Sequence, residues 1–136
     1  RPVVLLSGGV GLTPMVAMLE SLATRSPATP VHFIHGALDG SVHAMADQVR
    51  NLGQQTGAHL QIFYETPRLT DRNYDAEGRI PLKWLIENTP IREADYFICG
   101  PTAFLQCFVT GLRGAGVAQD RIHYEYFGPG YDLMAA

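Results

Sequence analysis

Three glycines, Gly8, Gly9 and Gly11, close an apolar run, Val3-Val4-Leu5-Leu6, and lead into Leu12-Thr13-Pro14. An apolar run of this length, bounded by small residues, reads as a strand buried on both faces. The glycines let the backbone turn sharply or approach a ligand with no Cβ in the way. Thr13 suits a helix N-cap and Pro14 a first helical position, where its missing N–H costs nothing. Met15-Val16-Ala17-Met18-Leu19-Glu20-Ser21-Leu22 then reads as the helix itself. Strand, glycine turn and helix N-terminus together aim free N–H groups and a positive dipole end at one spot, which is chemistry for holding an anion. The spacing departs from G-x-G-x-x-G: Gly9-Val10-Gly11 supplies two glycines and Pro14 stands in place of the third. It is no P-loop either, because no Gly-Lys-Ser/Thr follows. On spacing alone, a phosphate site and a tight strand–helix turn that holds nothing both stay open.

The surrounding elements must position that turn. The first helix is expected over about Thr13 to Thr24, ending before Ser26-Pro27. Val31 to His35 is a second strand, and Ser41 is expected to N-cap a helix from about Val42 to Gln55 with Ala44, Met45, Val49 and Leu52 on one face, closed by Gly57. Leu60 to Tyr64 is a third strand. Glu65 to Ile80, rich in Pro, Gly and polar residues, reads as a long loop of the kind that often carries function. Pro81 starts a short helix through Glu87; Asp95 to Cys99 is a fourth strand. Gly100-Pro101 turns into a helix from Thr102 to Arg113, on which Cys107 is expected in the core. Arg121 to Phe127 is a fifth strand, broken by Gly128-Pro129-Gly130.

Strands alternating with helices at this spacing predict an α/β fold, a three-layer doubly wound sheet of about five parallel strands. Ligands of such sheets sit beyond the carboxyl ends of the strands, near the point where strand order reverses. Here those ends are Ser7-Gly8-Gly9, His35-Gly36, Tyr64-Glu65, Cys99-Gly100-Pro101 and Glu125-Tyr126-Phe127, which makes one edge a candidate nucleotide site.

Composition narrows the classes. With 136 residues, 46% apolar and 17% charged, the chain is one ordinary domain with a real core. A net charge of −3 and no Lys/Arg run argue against nucleic acid. No apolar stretch approaches the ~20 residues of a membrane span. Cys99 and Cys107 form no disulfide framework or zinc spacing, and the five histidines show no metal pattern, so no metal site is expected. A reducing, cytoplasmic setting is expected. The chain opens at Arg1 almost directly in a strand and reads as a piece of a longer polypeptide.

The glycine turn GGVGLTPM, the segment HGALDGSVHA, the Cys99-Gly100-Pro101 turn and the ending RIHYEYFGP occur in an order that resembles the pyridine-nucleotide domain of the ferredoxin–NADP reductase superfamily. More closely, they resemble the C-terminal domain of flavohemoglobins, the nitric oxide dioxygenases. The resemblance covers essentially the whole chain. It implies a single NAD(P)H-binding domain over residues 1–136, with an FAD-binding barrel and a globin domain on the rest of a full-length chain. It assigns the pyrophosphate to Gly9, Val10, Gly11, Leu12, Thr13 and Pro14, and the nicotinamide side to Cys99, Gly100 and Pro101. Glu125 would sit near the flavin and tune it, and Tyr126, Phe127, Gly128 and Pro129 would meet the flavin, Phe127 as a movable cover. Cys99 read without the family is a small buried hydrophobe.

The implied activity is hydride transfer from NADH to FAD, then single electrons to haem, where nitric oxide and oxygen become nitrate. The isolated piece is expected to be inactive. NADH is expected over NADPH: Leu38-Asp39-Gly40 follows the second strand with no basic residue, and an acid there repels a 2′-phosphate. Asp39 before Gly40 also suits a plain turn. Two other functions fit the residues: the flavin reductase of an iron–sulfur oxygenase system, and an NADH-sensing domain without redox work. Gly130 to Ala136 is a tail with no assigned role.

Overall fold

The structure, a computed structural model, describes residues 1–9, 12–25, 28–43 and 46–126. At its centre is β1 (Val3–Gly8), all six residues of which are buried. It pairs in parallel with β2 (Val31–Ala37) on one side and β5 (Asp95–Gly100) on the other. β3 (His59–Tyr64) flanks β2, and β6 (Ile122–Tyr126) flanks β5. With the short β4 (Ala76–Glu77) beside β3, the sheet order is β4-β3-β2-β1-β5-β6, with every pairing parallel. The order reverses between β1 and β5, so a crevice opens at the carboxyl ends of those two strands.

Alternation along the strands builds two cores. Val3 and Leu5 of β1, with Phe33 of β2, join Met15, Val16 and Leu19 of α1 (Leu12–Arg25) and Val49 of α2 (Ala46–Thr56). Val4 and Leu6, with Ile34, Tyr96 and Ile98, join Leu85 of α3 (Leu82–Asn88) and Leu105, Phe108 and Leu112 of α4 (Thr102–Gly114) on the opposite face. Among the described residues no helix is long and apolar enough to cross a membrane.

Four expectations change. The sheet has six strands, because Ala76–Glu77 forms β4 within what reads as loop. The edge of β3 recruits it: Asp75 N–H donates to Ile62 O, Asp75 Oδ2 accepts from Ile62 N–H, and Gly78 N–H donates to Tyr64 O. Capping an open strand edge in this way hides unpaired backbone groups. Secondly, α1 begins at Leu12, so Thr13 and Pro14 lie in its first turn and Thr13 is not the cap. Thirdly, Ser41 does not N-cap α2. It sits in a 3₁₀ turn, Gly40–Val42, because the Asp39 carboxylate takes the Ser41 N–H and closes a tighter local turn. Lastly, Cys107 is exposed: the buried stripe of α4 runs through Leu105, Phe108 and Leu112, and position 107 falls off it. Ala44, Met45 and Pro27 lie outside the described residues.

Leu5 is fully buried in the central strand, whereas Leu69 is 97% exposed on the β3–β4 loop. Leu5→Ala should cost about 3 kcal/mol of unfolding free energy, and Leu69→Ala less than about 0.5. Urea denaturation followed by circular dichroism measures both; equal costs would contradict this placement of the core.

Candidate functional site

The parallel register sets Ser7 beside Cys99 at the reversal of strand order, with Gly8 and Gly100 just beyond. A Cβ on Gly8 would come within 2.8 Å of the Phe104 ring, and one on Gly100 within 2.7 Å. The two glycines therefore let one aromatic ring of α4 lie against both strand ends. Gly9 takes a positive φ of 57°, and a Cβ there would meet nothing within 4 Å among the described residues. The backbone is thus left-handed at Gly9, and the positive dipole end of α1 lies at Leu12. Beside this turn is a cleft of about 380 Å³, lined among others by Gly8, Gly9, Gly36, Pro101, Phe104 and Cys107. Glu65 and Arg79 also line it and pair at 2.7 Å. A cleft this size, with bare backbone at one wall, fits part of a dinucleotide.

Cys99 is fully buried in the apolar cluster that holds Leu12 and Met15. Burial, and then the charge of Glu125, pushes its thiol up to about 12, so it stays neutral and is no nucleophile at physiological pH. Glu125 is exposed and lies opposite Cys99 in the β5–β6 register.

A second group of polar residues sits at the carboxyl ends of β2 and β3. Asp71 is buried and accepts from Gly40 N–H at 3.1 Å, from Arg68 N–H at 2.7 Å and from the Arg68 guanidinium at 2.8 Å. The Arg68 hydrogen bond, helped by those backbone N–H groups, holds its carboxyl at about 2. The β2–α2 turn lacks a basic residue in sequence, yet the fold delivers the Arg68 guanidinium beside Gly40. Ser7 Oγ and His35 Nδ1 lie 2.8 Å apart, and His43 Nδ1 and Tyr64 OH 2.6 Å apart. Burial, then the neighbouring His43, lowers His35 to about 3; burial, then Arg50, lowers His43. Among the described residues no group of three or more His, Cys, Asp and Glu could hold a metal ion.

Of the expected residues, Gly9 and Pro101 line this cleft and Gly100 ends the adjoining strand. Cys99 shares a buried cluster with Leu12; Thr13 and Pro14 lie in the first turn of α1, and Glu125 stands one strand further out. Asp39 lies apart from these, beyond β2, where its carboxylate is turned onto Ser41. Tyr126 is placed as the last residue of β6, while Val10, Gly11, Phe127, Gly128 and Pro129 lie outside the described residues, as does the tail 130–136. Sequence reasoning missed Ser7, His35, His43, Tyr64, Arg68 and Asp71 as a connected group. The available signal was polar residues at the ends of apolar strands, where a buried position demands a partner.

Comparison with known proteins agrees with this geometry. The sequence model of the oxidoreductase NAD-binding domain matches residues 5–110. The chain is 46% identical to the flavohemoprotein of Xylella fastidiosa, an alignment that covers 100% of this chain and 34% of that protein. Its fold matches the FAD/NAD-binding domain of nitric oxide dioxygenase from Vibrio cholerae with a TM-score of 0.83, at 37% identity over 95% of this chain and 52% of the other. A flavohemoglobin from Malassezia yamatoensis, solved with bound FAD and heme, matches with a TM-score of 0.80, at 27% identity over 94% of this chain and 32% of the other.

Two measurements check the site. With a thiol reagent at mildly alkaline pH, Cys107 should react in the native state and Cys99 only after unfolding; fast native labelling of Cys99 would refute its burial. Asp71→Asn should lower stability at neutral pH. Because the native carboxyl is depressed from 3.8 to about 2, the wild-type advantage should be full above 3.8 and vanish as pH falls towards 2. Denaturation midpoints of both proteins across that range would show parallel curves if Asp71 were unpaired.

Proposed function

The chain belongs to the oxidoreductase NAD-binding domain family, and on that footing we propose that it is the NADH-binding part of a flavohemoglobin reductase module. The observation that carries this reading is the left-handed, open glycine turn at the start of α1, set at the reversal of strand order beside the cleft. When bound, NADH supplies a hydride for FAD, and in the full-length protein single electrons pass on to haem for conversion of nitric oxide and oxygen to nitrate. The chain spans 34% of the length of its flavohemoprotein relative, which leaves room there for FAD-binding and globin domains.

The residues of this chain bind and orient. Backbone N–H groups from Gly9 to Thr13, with the α1 dipole, neutralise the pyrophosphate, and Pro14, which lacks an N–H, lies beside it. Gly100 and Pro101 flank the nicotinamide, with the Phe104 ring filling the space where a Gly100 Cβ would stand. The neutral, fully buried Cys99 thiol packs beneath the nicotinamide side as a small apolar group and not as a nucleophile. Glu125 places a carboxylate at the flavin side, and Tyr126, Phe127, Gly128 and Pro129 form the contact with the flavin. Asp39 sits by the ribose and disfavours a 2′-phosphate by charge repulsion. Arg68, a cation near this turn, is paired with Asp71, which supports NADH over NADPH.

Calorimetric titration of the longest polypeptide that carries this chain tests the reading. NADH should bind more tightly than NADPH. Gly9→Val should weaken NADH binding by about tenfold or more, since a β-branched residue resists positive φ and fills the space above the turn. Unchanged affinity in Gly9→Val would refute the pyrophosphate site, and tighter NADPH binding would refute the role of Asp39. In stopped-flow work, Glu125→Gln should slow flavin reduction by NADH while leaving NADH affinity unaltered; an equal rate would refute its place beside the flavin.

A further inference from the structure

The β2–α2 turn, which carries Asp39, has few anchors. Its apolar side chains face water: Leu38 is 51% exposed and Val42 56%. The Leu38 carbonyl accepts from Thr66 N–H at 3.0 Å, the Gly40 N–H is held by Asp71 at 3.1 Å, and the Ser41 and Val42 N–H groups bond within the turn to Asp39. Among the described residues of this turn, the side chain that goes inward is His43, which immediately follows the 3₁₀ turn and is 8% exposed. Its ring stands edge-on to Tyr64, centroids 5.5 Å apart, and 5.2 Å from the ring of His35. Nδ1 meets the Tyr64 hydroxyl, but Nε2 is buried with no partner among the described residues, and the same holds for Nε2 of His35.

We propose that His43 is a positioning residue whose uptake of a proton releases the β2–α2 turn, and with it Asp39, from the edge of the sheet. That the turn lies beside the ribose rests on the function proposed above; the release itself does not.

Among the described residues, nothing around His43 offers an acceptor to a proton on Nε2. From β2 it faces His35, which Ser7 of β1 engages at Nδ1. From β3 it faces the Tyr64 hydroxyl. From α2 it feels the Arg50 cation, whose Nε is itself buried without a partner among the described residues. Asp71, Arg68 and Asp39 lie near Tyr64, but Asp71 is paired with Arg68, and Asp39 is bonded to Ser41. A charged imidazole is thus stable only in water. His35, inside β2, cannot leave without breaking the sheet, whereas His43 leaves by a change in a few loop residues. Seated His43 has its pKa lowered from 6.5, so the seated state is favoured above 6.5 and lost progressively as pH falls below it. Over the same window Asp71, held at about 2, stays ionised, and His35, at about 3, stays neutral.

Hydrogen exchange of the Gly40, Ser41 and Val42 amides, corrected for intrinsic pH dependence, reads the release with no cofactor present. In the longest polypeptide that carries this chain, protection should fall by about tenfold between about pH 7.5 and about pH 5.5. His43→Asn keeps a polar atom for Tyr64 and takes up no proton, so its protection should be retained and flat with pH. His43→Ala should be poorly protected throughout. A flat wild-type profile, or the same fall in His43→Asn, overturns the proposal. NADH affinity measured on the same proteins should follow protection. Release without loss of affinity would leave the proposal standing and overturn the placing of the ribose beside Asp39.

Discussion

Every backbone group of β1 has to be satisfied inside the sheet, because all six of its residues are buried and water reaches none of them. Only two parallel neighbours can do this, and β2 and β5 take the places. Parallel pairing forces crossovers, and right-handed crossovers put α1 and α2 on one face and α3 and α4 on the other. The reversal of strand order then falls beside β1, where the chain emerges as Gly8 and Gly9. The candidate site is a consequence of that constraint. The ends of β1 and β5 each adjoin a helix N-terminus and the end of the other strand.

Around this crevice the fold uses small residues and neutral groups where contact is close, and charge where it can be paired. Gly8 and Gly100 admit the Phe104 ring against the backbone. Cys99 fills its place as a neutral thiol. Towards β3 the logic changes. Asp71 is a buried carboxylate, tolerable because one guanidinium and two backbone N–H groups converge on it. It ties the long β3–β4 loop to the β2–α2 turn, and so sets the charge environment in which Asp39 would meet a ribose.

Much of the architecture was legible because its signals are local. Val3-Val4-Leu5-Leu6 with its glycines, the repeating strand–helix spacing and the Cys99-Gly100-Pro101 turn each report on neighbours a few residues apart. The failures are of one kind. Ser41 looked like a helix cap, but Asp39 two residues earlier captured its N–H. Ala76–Glu77 carries no strand pattern and is a strand only because β3 has an open edge. Cys107 looked like core because helix phase was judged without knowing which face α4 turns to the sheet.

By itself the sequence determined the α/β class, the family and the glycine turn at the first strand–helix junction, since periodicity, glycine placement and motif order are properties of contiguous residues. Only the tertiary structure decided which distant groups share an environment. It set Ser7 against His35, 28 positions on, and His43 against Tyr64, 21 positions on. It brought Arg68 and Asp71 to Gly40 across the β2–β3 connection. Such pairs follow from strand register and loop path, which depend on how the whole sheet satisfies its backbone, so no local stretch of the chain encodes them.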